Sequence, residues 1–334
     1  MLYLENGYLN IEHIINDKHT FNFIIGARGV GKTFGALSYC YQNKIKFIYL
    51  RTRDTQIKKL SNPAFNPFKA INDEFGYDIG VNNKKTGGIS QFIDNNTNEI
   101  IGYMLPLSIF SNFRGFDLSD IEIILYDEFI PEKDEQPLKN QAAILWNAYE
   151  TSNRNRELKG RKPIKLICMS NANTIFNDIF LDLKLTKTVY DMQRKKRTYY
   201  TDDSRDLSVY CLFDSPISRK KKQTALYKLT AGSEFQDMAI DNTYTIENET
   251  LIRSLNMSGF KPVCGVGECY FYVNSDNVYY MTTFKKGVFR KIYNTEENAL
   301  LNFKHNNYMI WSAFLNEKLF FENIYCLEFF RVIY

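Results

Sequence analysis

The chain has 334 residues and a mass of 39.2 kDa, a length that predicts two domains rather than one. Hydrophobic residues make up 44% of it, which excludes a chain that is disordered throughout, and the formal net charge is only +4. No apolar run approaches the roughly 20 residues that a membrane-spanning helix needs, and the first residues lack a basic-then-apolar leader, so we expect neither a membrane span nor a secretory signal.

The first predicted element is a strand–loop–helix unit. The apolar run Phe21–Ile25 predicts a buried parallel strand, and Lys32–Asn43 predicts a helix. The loop between them matches the pattern G-x-x-x-x-G-K-[ST] with Gly26, Ala27, Arg28, Gly29, Val30, Gly31, Lys32 and Thr33. Glycines allow the backbone to wrap phosphate groups, and the helix N-terminus directs N–H groups at them. The unit predicts a nucleoside triphosphate site, with Lys32 on the β- and γ-phosphates and the Thr33 hydroxyl on Mg²⁺.

Three further runs rich in β-branched and aromatic residues follow, at Lys46–Leu50, Ile121–Tyr126 and Ile164–Met169. Longer mixed segments separate them, and residues 138–158 have the composition of a helix. This spacing predicts an α/β fold in which parallel strands carry helices on both faces of the sheet.

Two acidic residues, Asp127 and Glu128, directly follow the run Ile121–Tyr126. We expect Asp127 to engage the Mg²⁺ shell, usually through water, and Glu128 to orient and deprotonate the attacking water. Such an adjacent acid is typical of the additional-strand catalytic-glutamate ATPases, whereas many P-loop kinases transfer phosphate to a substrate. An ordinary strand end is the alternative, but the upstream phosphate loop favours ATP hydrolysis.

Asn171 follows the run Ile164–Met169 and is a candidate sensor of the γ-phosphate or the attacking water. A turn that closes the strand explains the same residue equally well. Both interpretations place Asn171 at the end of the strand beside Asp127.

Transition-state charge requires a further cation that the phosphate loop does not supply. Arg154 and Arg156 lie toward the end of the predicted helix and are candidates for an arginine finger that acts on a neighbouring subunit. Arg28 and Arg114 are candidates within the same subunit. Any single arginine is more often an ordinary surface charge.

The charge is concentrated in the central segment Thr151–Lys228, with 18 Lys or Arg and 8 Asp or Glu, a balance of +10 that leaves −6 for the rest. It contains two basic clusters, Arg194–Arg197 and Arg219–Lys222. Such clusters suit a polyanion such as nucleic acid, and they equally suit a solvated linker.

The composition of the sequence changes after about residue 200, where a polar stretch precedes the second basic cluster. We predict a P-loop ATPase domain over 1–200, a basic linker over 201–226 and a C-terminal domain over 227–334. In the last of these, Cys269–Val273 and Val278–Met281 alternate as strands do, with a hairpin turn at Asn274–Asn277. The stretch Tyr325–Tyr334 predicts a terminal strand.

Five segments occur in an order that resembles the phi29-like podophage DNA-encapsidation ATPases, the small relatives of large-terminase motors. They are the phosphate loop, Phe47–Arg51, Phe113–Gly115, Leu125–Glu128 and Met169–Ala172. The resemblance covers the first 200 residues through these motifs. Over the last third it rests on length, the basic linker and a strand-rich tail.

The resemblance implies an additional-strand ATPase domain, a small linker and a C-terminal domain of RNase H-like descent, with ATP and Mg²⁺ as cofactors. It also implies a homopentameric ring that drives double-stranded DNA into an empty prohead in the host cytoplasm, at the portal vertex. In some members of the family the C-terminal domain contacts a structural packaging RNA. The family roles carried over by motif fall on Lys32 and Thr33 (phosphate and metal), Asp127 and Glu128 (the Walker B pair), Asn171 (the coupling motif), and Arg154 or Arg156 (the arginine acting in trans).

A terminase nuclease needs several carboxylates gathered around two metal ions. The acids of the C-terminal part are scattered, as at Asp237, Asp241, Glu268 and Asp276. We therefore predict that this domain binds nucleic acid or the portal and has no nuclease activity. Two other functions stay open from the sequence: a nucleic-acid helicase or remodelling ATPase, and a nucleotide-gated binding protein in which hydrolysis is incidental.

Overall fold

The structure, a computed structural model, describes residues 1–86, 89–113, 115, 118–132, 135–171, 175–213, 215–233, 236 and 251–334. The chain divides into two compact units, Met1–Tyr244 and Thr245–Tyr334. No helix in these described ranges combines the length and the apolar character needed to cross a membrane.

The first unit alternates strands and helices along most of its length. Its strands are β1 (Phe21–Gly26), β2 (Phe47–Arg51), β3 (Ile79–Thr86), β4 (Ile89–Asp94), β5 (Glu99–Pro106), β6 (Ile123–Asp127), β7 (Lys165–Ser170), β8 (Tyr199–Asp202) and β9 (Leu207–Leu212). Its α-helices are α1 (Ile11–Ile15), α2 (Lys32–Gln42), α3 (Asp54–Leu60), α4 (Lys69–Phe75), α5 (Gln141–Asn153), α6 (Asp178–Asp182), α7 (Thr186–Arg194), α8 (Pro216–Lys221) and α9 (Ala225–Leu229). Short 3-10 helices lie at Pro63–Phe65, Leu107–Phe113, Glu157–Lys159 and Asp203–Arg205.

These strands form one sheet in the order β3-β4-β5-β2-β6-β7-β1-β9-β8. The run from β5 to β9 is parallel, and β3, β4 and β8 pair antiparallel at the two edges. Strands β1, β6 and β7 are apolar and almost wholly buried because helices cover both faces of a parallel sheet. Strand β7 lies between the strand that precedes the phosphate loop and the strand that ends in Asp127. The predicted α/β fold of the additional-strand type is confirmed.

The four strands predicted for the parallel sheet are confirmed, and each is displaced by no more than a residue or two at its ends. The predicted helix over 138–158 is shorter than expected. It ends at Asn153 because Arg154 adopts a left-handed backbone conformation with φ 45°.

The predicted linker over 201–226 differs from the structure. Strand β9 lies inside it, is buried along its whole length and pairs with β1, so this stretch belongs to the sheet of the first unit. The polar residues 201–206 form the end of β8 and the turn, Asp203–Asp206, that joins it to the antiparallel strand β9. A short polar stretch suits a hairpin turn as well as a linker, and the division between the compact units falls after Tyr244.

A polar cluster lies where β1 begins, at the edge of the sheet opposite to the phosphate loop. The His19 ring is buried, and its nitrogens lie 2.5 Å from Asp17 Oδ1 and 2.8 Å from Asp203 Oδ1. Burial opposes the charged form of His19, but Asp203 and Asp17 outweigh it and raise the pKa of the ring. Asp17 also accepts hydrogen bonds from Tyr199 and Tyr210, at 2.7 and 2.5 Å, and these help to lower its pKa to about 2 against the effect of burial.

The second unit is a mixed sheet with helices. Its strands are β10 (Lys261–Val266), β11 (Cys269–Val273), β12 (Tyr279–Thr282), β13 (Ile292–Tyr293) and β14 (Leu319–Phe321). Its helices are α10 (Glu297–Asn306), α11 (Tyr308–Leu315) and α12 (Ile324–Ile333). The sheet order is β13-β10-β11-β12-β14. The predicted hairpin is confirmed, because β11 and β12 pair antiparallel across Asn274–Asn277.

The predicted terminal strand over Tyr325–Tyr334 is wrong, because this stretch is helix α12. The Asn323 side chain caps the helix by accepting a hydrogen bond from the Cys326 N–H at 3.1 Å. Glu328 and Arg331, three residues apart, form an ion pair on its surface. The stretch is so apolar that its composition does not distinguish the two structures, since a short apolar run fits a buried helix as well as a buried strand.

Candidate nucleotide site

The phosphate loop leaves the carboxyl end of β1 and enters α2. Gly29 and Gly31 have φ of +69° and +95°, in the left-handed region that favours glycine. Helix α2 begins at Lys32, so the backbone N–H groups of its first turn open toward the loop. The predicted strand–loop–helix context of the motif is therefore present.

Lys32 is folded back into its own loop. Its ammonium donates hydrogen bonds to the carbonyls of Gly26 (2.8 Å) and Ala27 (3.0 Å) and to Asn171 Oδ1 (3.2 Å). The residue is only 8% exposed, and burial lowers its pKa to about 8, although Asp127 and Glu128 act in the opposite direction. Asn171, the predicted sensor, thus contacts the lysine that is expected to bind phosphate.

Asp127 ends β6 and lies beside the start of α2. Its Oδ2 accepts hydrogen bonds from the Thr33 hydroxyl at 3.0 Å and from the Tyr49 hydroxyl at 2.6 Å. Asp127 is 6% exposed, and burial raises the pKa of Tyr49 well above its usual value, as does the neighbouring carboxylate. The hydroxyl of Thr33 and the carboxylate of Asp127 are oxygen ligands of the kind that Mg²⁺ prefers. The donor set therefore fits the predicted metal.

Glu128 is the next residue and has a left-handed backbone, with φ 54°. A non-glycine residue in this region costs about 1 kcal/mol and is common at functional sites. Its carboxylate forms an ion pair with Arg51 at the end of β2, and Arg51 also lies 3.5 Å from Asp127. Burial raises the pKa of Glu128, while Arg51 lowers it. Burial disfavours charge on Arg51 itself, but Tyr49, Asp127 and Glu128 outweigh this and raise its pKa.

These residues surround a cavity of about 340 Å³ at the carboxyl edge of the sheet. It is lined by Arg28, Gly29, Gly31, Lys32, Thr33, Phe34, Asp127, Glu128, Glu132, Ser170 and Asn171. Parallel pairing of β6 with β7 and of β7 with β1 brings the ends of these strands to the same edge. The structure thus brings the phosphate loop, both acids and Asn171 together.

The candidate arginines are distributed differently. Arg28 lies at the cavity, where it forms an ion pair with Glu132. Arg154 is exposed at the end of α5, and its Nε donates to the Thr151 carbonyl at 3.3 Å. Arg156 is 6% exposed and donates to the Ser119 carbonyl at 2.8 Å, in the loop before β6. Neither Arg154 nor Arg156 lines the cavity, and Arg114 lies outside the described residues.

Several residues of this site were missed from the sequence: Tyr49, Arg51 and Glu132. Tyr49 and Arg51 belong to β2, which pairs with β6, and the predicted strand stopped one residue before Arg51. The feature that could have indicated Arg51 is its position as a charged residue at the end of β2, the strand next to the one that ends in Asp127. Glu132 follows a loop, and the sequence held no signal for its pairing with Arg28.

The predicted C-terminal domain, 227–334, has scattered acids that a metal-dependent nuclease would have to gather. Asp237 and Asp241 lie outside the described residues, and Glu268 and Asp276 lie on either side of β11. Within the parts of the chain that the structure covers, no three His, Cys, Asp or Glu side chains are gathered as a metal-binding group.

Comparison with known proteins gives consistent results over nearly the whole chain. Residues 5–333 match the family model described as Podovirus DNA encapsidation protein (Gp16). The chain is 27% identical over 348 aligned positions to a DNA packaging protein of Bacillus phage phi29, covering 95% of this chain and 93% of that protein. It is 28% identical to a DNA packaging protein of Bacillus phage B103, covering 90% and 92% of the two chains.

The fold has a solved relative of similar extent. The structure titled "The bacteriophage Phi-29 viral genome packaging motor assembly" contains a chain that aligns with a TM-score of 0.66 and 22% identity. The alignment covers 98% of this chain and 100% of that chain. At this level of identity the likeness shows a shared fold, and it extends over both compact units.

Proposed function

The chain belongs to the podovirus DNA encapsidation protein family, and on that premise we propose that it is the ATPase of a viral DNA-packaging motor. ATP hydrolysis in one subunit drives translocation of double-stranded DNA into a prohead. The observation that carries the proposal is the meeting of Lys32, Asp127 and Glu128, from distant parts of the sequence, around one cavity.

The chemistry follows from the positions of these side chains. Backbone N–H groups of the phosphate loop and the Lys32 ammonium bind the phosphates, and Thr33 with Asp127 would hold Mg²⁺. When bound, Mg²⁺ neutralises charge on the phosphate oxygens. Glu128 takes the proton of the attacking water, a role for which the raised pKa of a half-buried carboxyl is suited. Asn171 reports on the phosphate end of the site through its contact with Lys32.

Arg51 controls where the Glu128 carboxylate points. In the structure the guanidinium holds Glu128 and lies near Asp127, so the two acids are fixed relative to each other. A general base must reach its water at hydrogen-bond distance, which places a strict demand on side-chain orientation. Arg51 is therefore a positioning residue for Glu128, and its charge also helps to keep the base ionised.

The partners are assigned by charge and by family. The exposed cluster Arg194–Arg197 at the end of α7 offers a cationic surface to the DNA backbone. Such contacts carry no base information, which suits a motor that packages any sequence. We assign the protein to a homopentameric ring at the portal vertex in the host cytoplasm. The second unit, Thr245–Tyr334, is its portal- or nucleic-acid-binding part and is also the part that would contact a packaging RNA.

The test is ATP hydrolysis and DNA uptake by purified protein with proheads. Glu128→Gln should retain ATP binding and lose turnover and packaging, since the amide cannot accept the proton of the water. Glu122→Gln is the matched control, because Glu122 is exposed and lies immediately before the first residue of the same strand. Intact duplex should stimulate the wild-type enzyme without strand separation.

Two outcomes would overturn the proposal. Packaging that survives Glu128→Gln would favour a nucleotide-gated binding protein. Stimulation by single strands with unwinding of a duplex would favour a helicase.

A further inference from the structure

Helix α8 contains most of the second basic cluster, Arg219–Lys222, and lies against the phosphate loop. Strand β9 runs parallel to β1, and Leu212 pairs with Gly26, where the loop begins. The chain that leaves β9 therefore emerges at the carboxyl edge of the sheet, beside the nucleotide site. The Ser215 side chain caps α8, and the Ile217 N–H donates to the Gly7 carbonyl at 3.3 Å. These contacts hold the helix next to the loop.

Lys221, the last residue of α8, reaches the loop itself. Its ammonium donates a hydrogen bond to the Arg28 carbonyl at 2.8 Å. It also occupies the space beside Gly29 that a Cβ atom at this position would fill. The preceding residue, Lys220, donates instead to the Asn6 carbonyl at 3.2 Å, away from the loop. Two adjacent lysines of one cluster thus have different surroundings.

Three cationic side chains now meet at this loop: Arg28, Lys32 and Lys221. Arg28 is paired with Glu132, and Lys32 is held by two carbonyls and Asn171. The described contacts of the Lys221 ammonium use one of its three N–H groups. Burial lowers the pKa of Lys221, and Lys221 in turn lowers that of Lys32. Cations gathered in this way are stabilised by a bound polyanion and destabilised without one.

We propose that Lys221 is a second phosphate-binding lysine of the nucleotide site, contributed by the segment that follows β9. The proposal rests on the proposed function, since it assigns Lys221 to the same bound triphosphate. The proposal also gives members of the cluster Arg219–Lys222 different roles, because Lys221 then binds the nucleotide and does not bind DNA. The residue joins the loop to the stretch of chain that leads toward the second unit, so the charge of the bound nucleotide acts directly on that stretch.

The experiment is a titration of the full chain with fluorescent ATP, ADP and AMP analogues. We expect Lys221→Met to weaken ATP and ADP binding by about tenfold or more, as loss of a charged hydrogen bond predicts, and to leave AMP binding little changed. Lys220→Met is the matched control and should bind ATP like the wild type. Lys221→Arg keeps the charge and should recover most of the affinity.

Each result bears on the inference. If Lys221→Met and Lys220→Met bind ATP equally well and lose duplex binding equally, both lysines bind DNA. That result would overturn the inference about Lys221 and leave the ATPase proposal intact. A wild-type chain that binds no ATP would overturn both. Thermal melting of each variant separates a folding defect from a binding defect, and Lys221→Arg decides the question if Lys221→Met melts early.

Discussion

Replacing Arg51 by Gln tests how the two acids of the nucleotide site are held. The Arg51 and Asp127 side chains are 12% and 8% exposed, whereas that of Glu128 is 36% exposed. Removing one partner of a buried ion pair costs about 3–5 kcal/mol. Asp127 keeps its hydrogen bonds from Thr33 and Tyr49, and water screens Glu128, so we expect a loss of about 2–3 kcal/mol in the free energy of unfolding.

The same substitution should change the pH dependence of ATP hydrolysis. Arg51 lowers the pKa of Glu128, so its removal raises that pKa. A general base acts when it is ionised, and the acid limb of the rate profile should therefore move to higher pH. The fold-loss of activity should be largest in mildly acidic buffer and smaller in alkaline buffer.

Thermal melting and phosphate release across the pH range measure both effects. About 2–3 kcal/mol corresponds to a fall in melting temperature on the order of 5–10 °C for a domain of this size. Lys58→Gln is the control, since it removes an exposed ion pair with Asp54 and should lower the melting temperature much less. An acid limb that stays in place, with the same fold-loss at every pH, would refute the reasoning.

The other predictions concern subunit communication, pH and DNA binding. Arg154→Ala subunits mixed into wild-type rings should inhibit more than in proportion to their share, because an exposed arginine can act in trans; a linear decline would argue against a finger. Arg156→Ala should instead lower the melting temperature, because it removes the hydrogen bonds from Arg156 to the Leu118 and Ser119 carbonyls, at a cost of about 1–3 kcal/mol. The Ser119 carbonyl keeps the Arg161 guanidinium as a second donor. His19→Gln should destabilise the fold below the usual pKa of histidine, and the difference from wild type should shrink as pH rises through the raised pKa of His19; a constant difference across pH would contradict the charged state of this ring. Duplex affinity should fall steeply with salt, and Lys195→Met with Lys196→Met should reduce the log–log slope by about 1–2; an unchanged slope would place DNA elsewhere.

The phosphate loop shows how much of a site can be predicted locally. Its function requires glycines, a lysine and a hydroxyl at fixed spacing, and both flanking elements are continuous with it in sequence. The same holds for Asp127 and Glu128, which end a strand whose apolar composition is unambiguous. The pairing of these two segments across the sheet followed from the rule that parallel strands share an edge.

Arg51 and Lys221 show where local reasoning ends. Arg51 became part of the site only because β2 pairs with β6, and strand order is set by packing over the whole sheet. Lys221 belongs to a run of charges whose members cannot be told apart in the sequence. Only the placement of α8 beside the loop gives Lys220 and Lys221 different hydrogen-bond partners. The terminal helix α12 differs from the predicted strand because its capping residue, Asn323, precedes the apolar run Tyr325–Tyr334 on which that prediction depends.

By itself the sequence determined the α/β class and predicted the phosphate loop and the acidic pair, because each depends on residues close together along the chain. Tertiary structure alone decided which cation holds Glu128, which lysine of the basic cluster reaches the phosphate loop and where the first unit ends. Arg51 and Glu128 lie 77 positions apart in the sequence, and Lys221 and Arg28 lie 193 positions apart. Only the packing of the complete sheet brings such distant residues within hydrogen-bond distance.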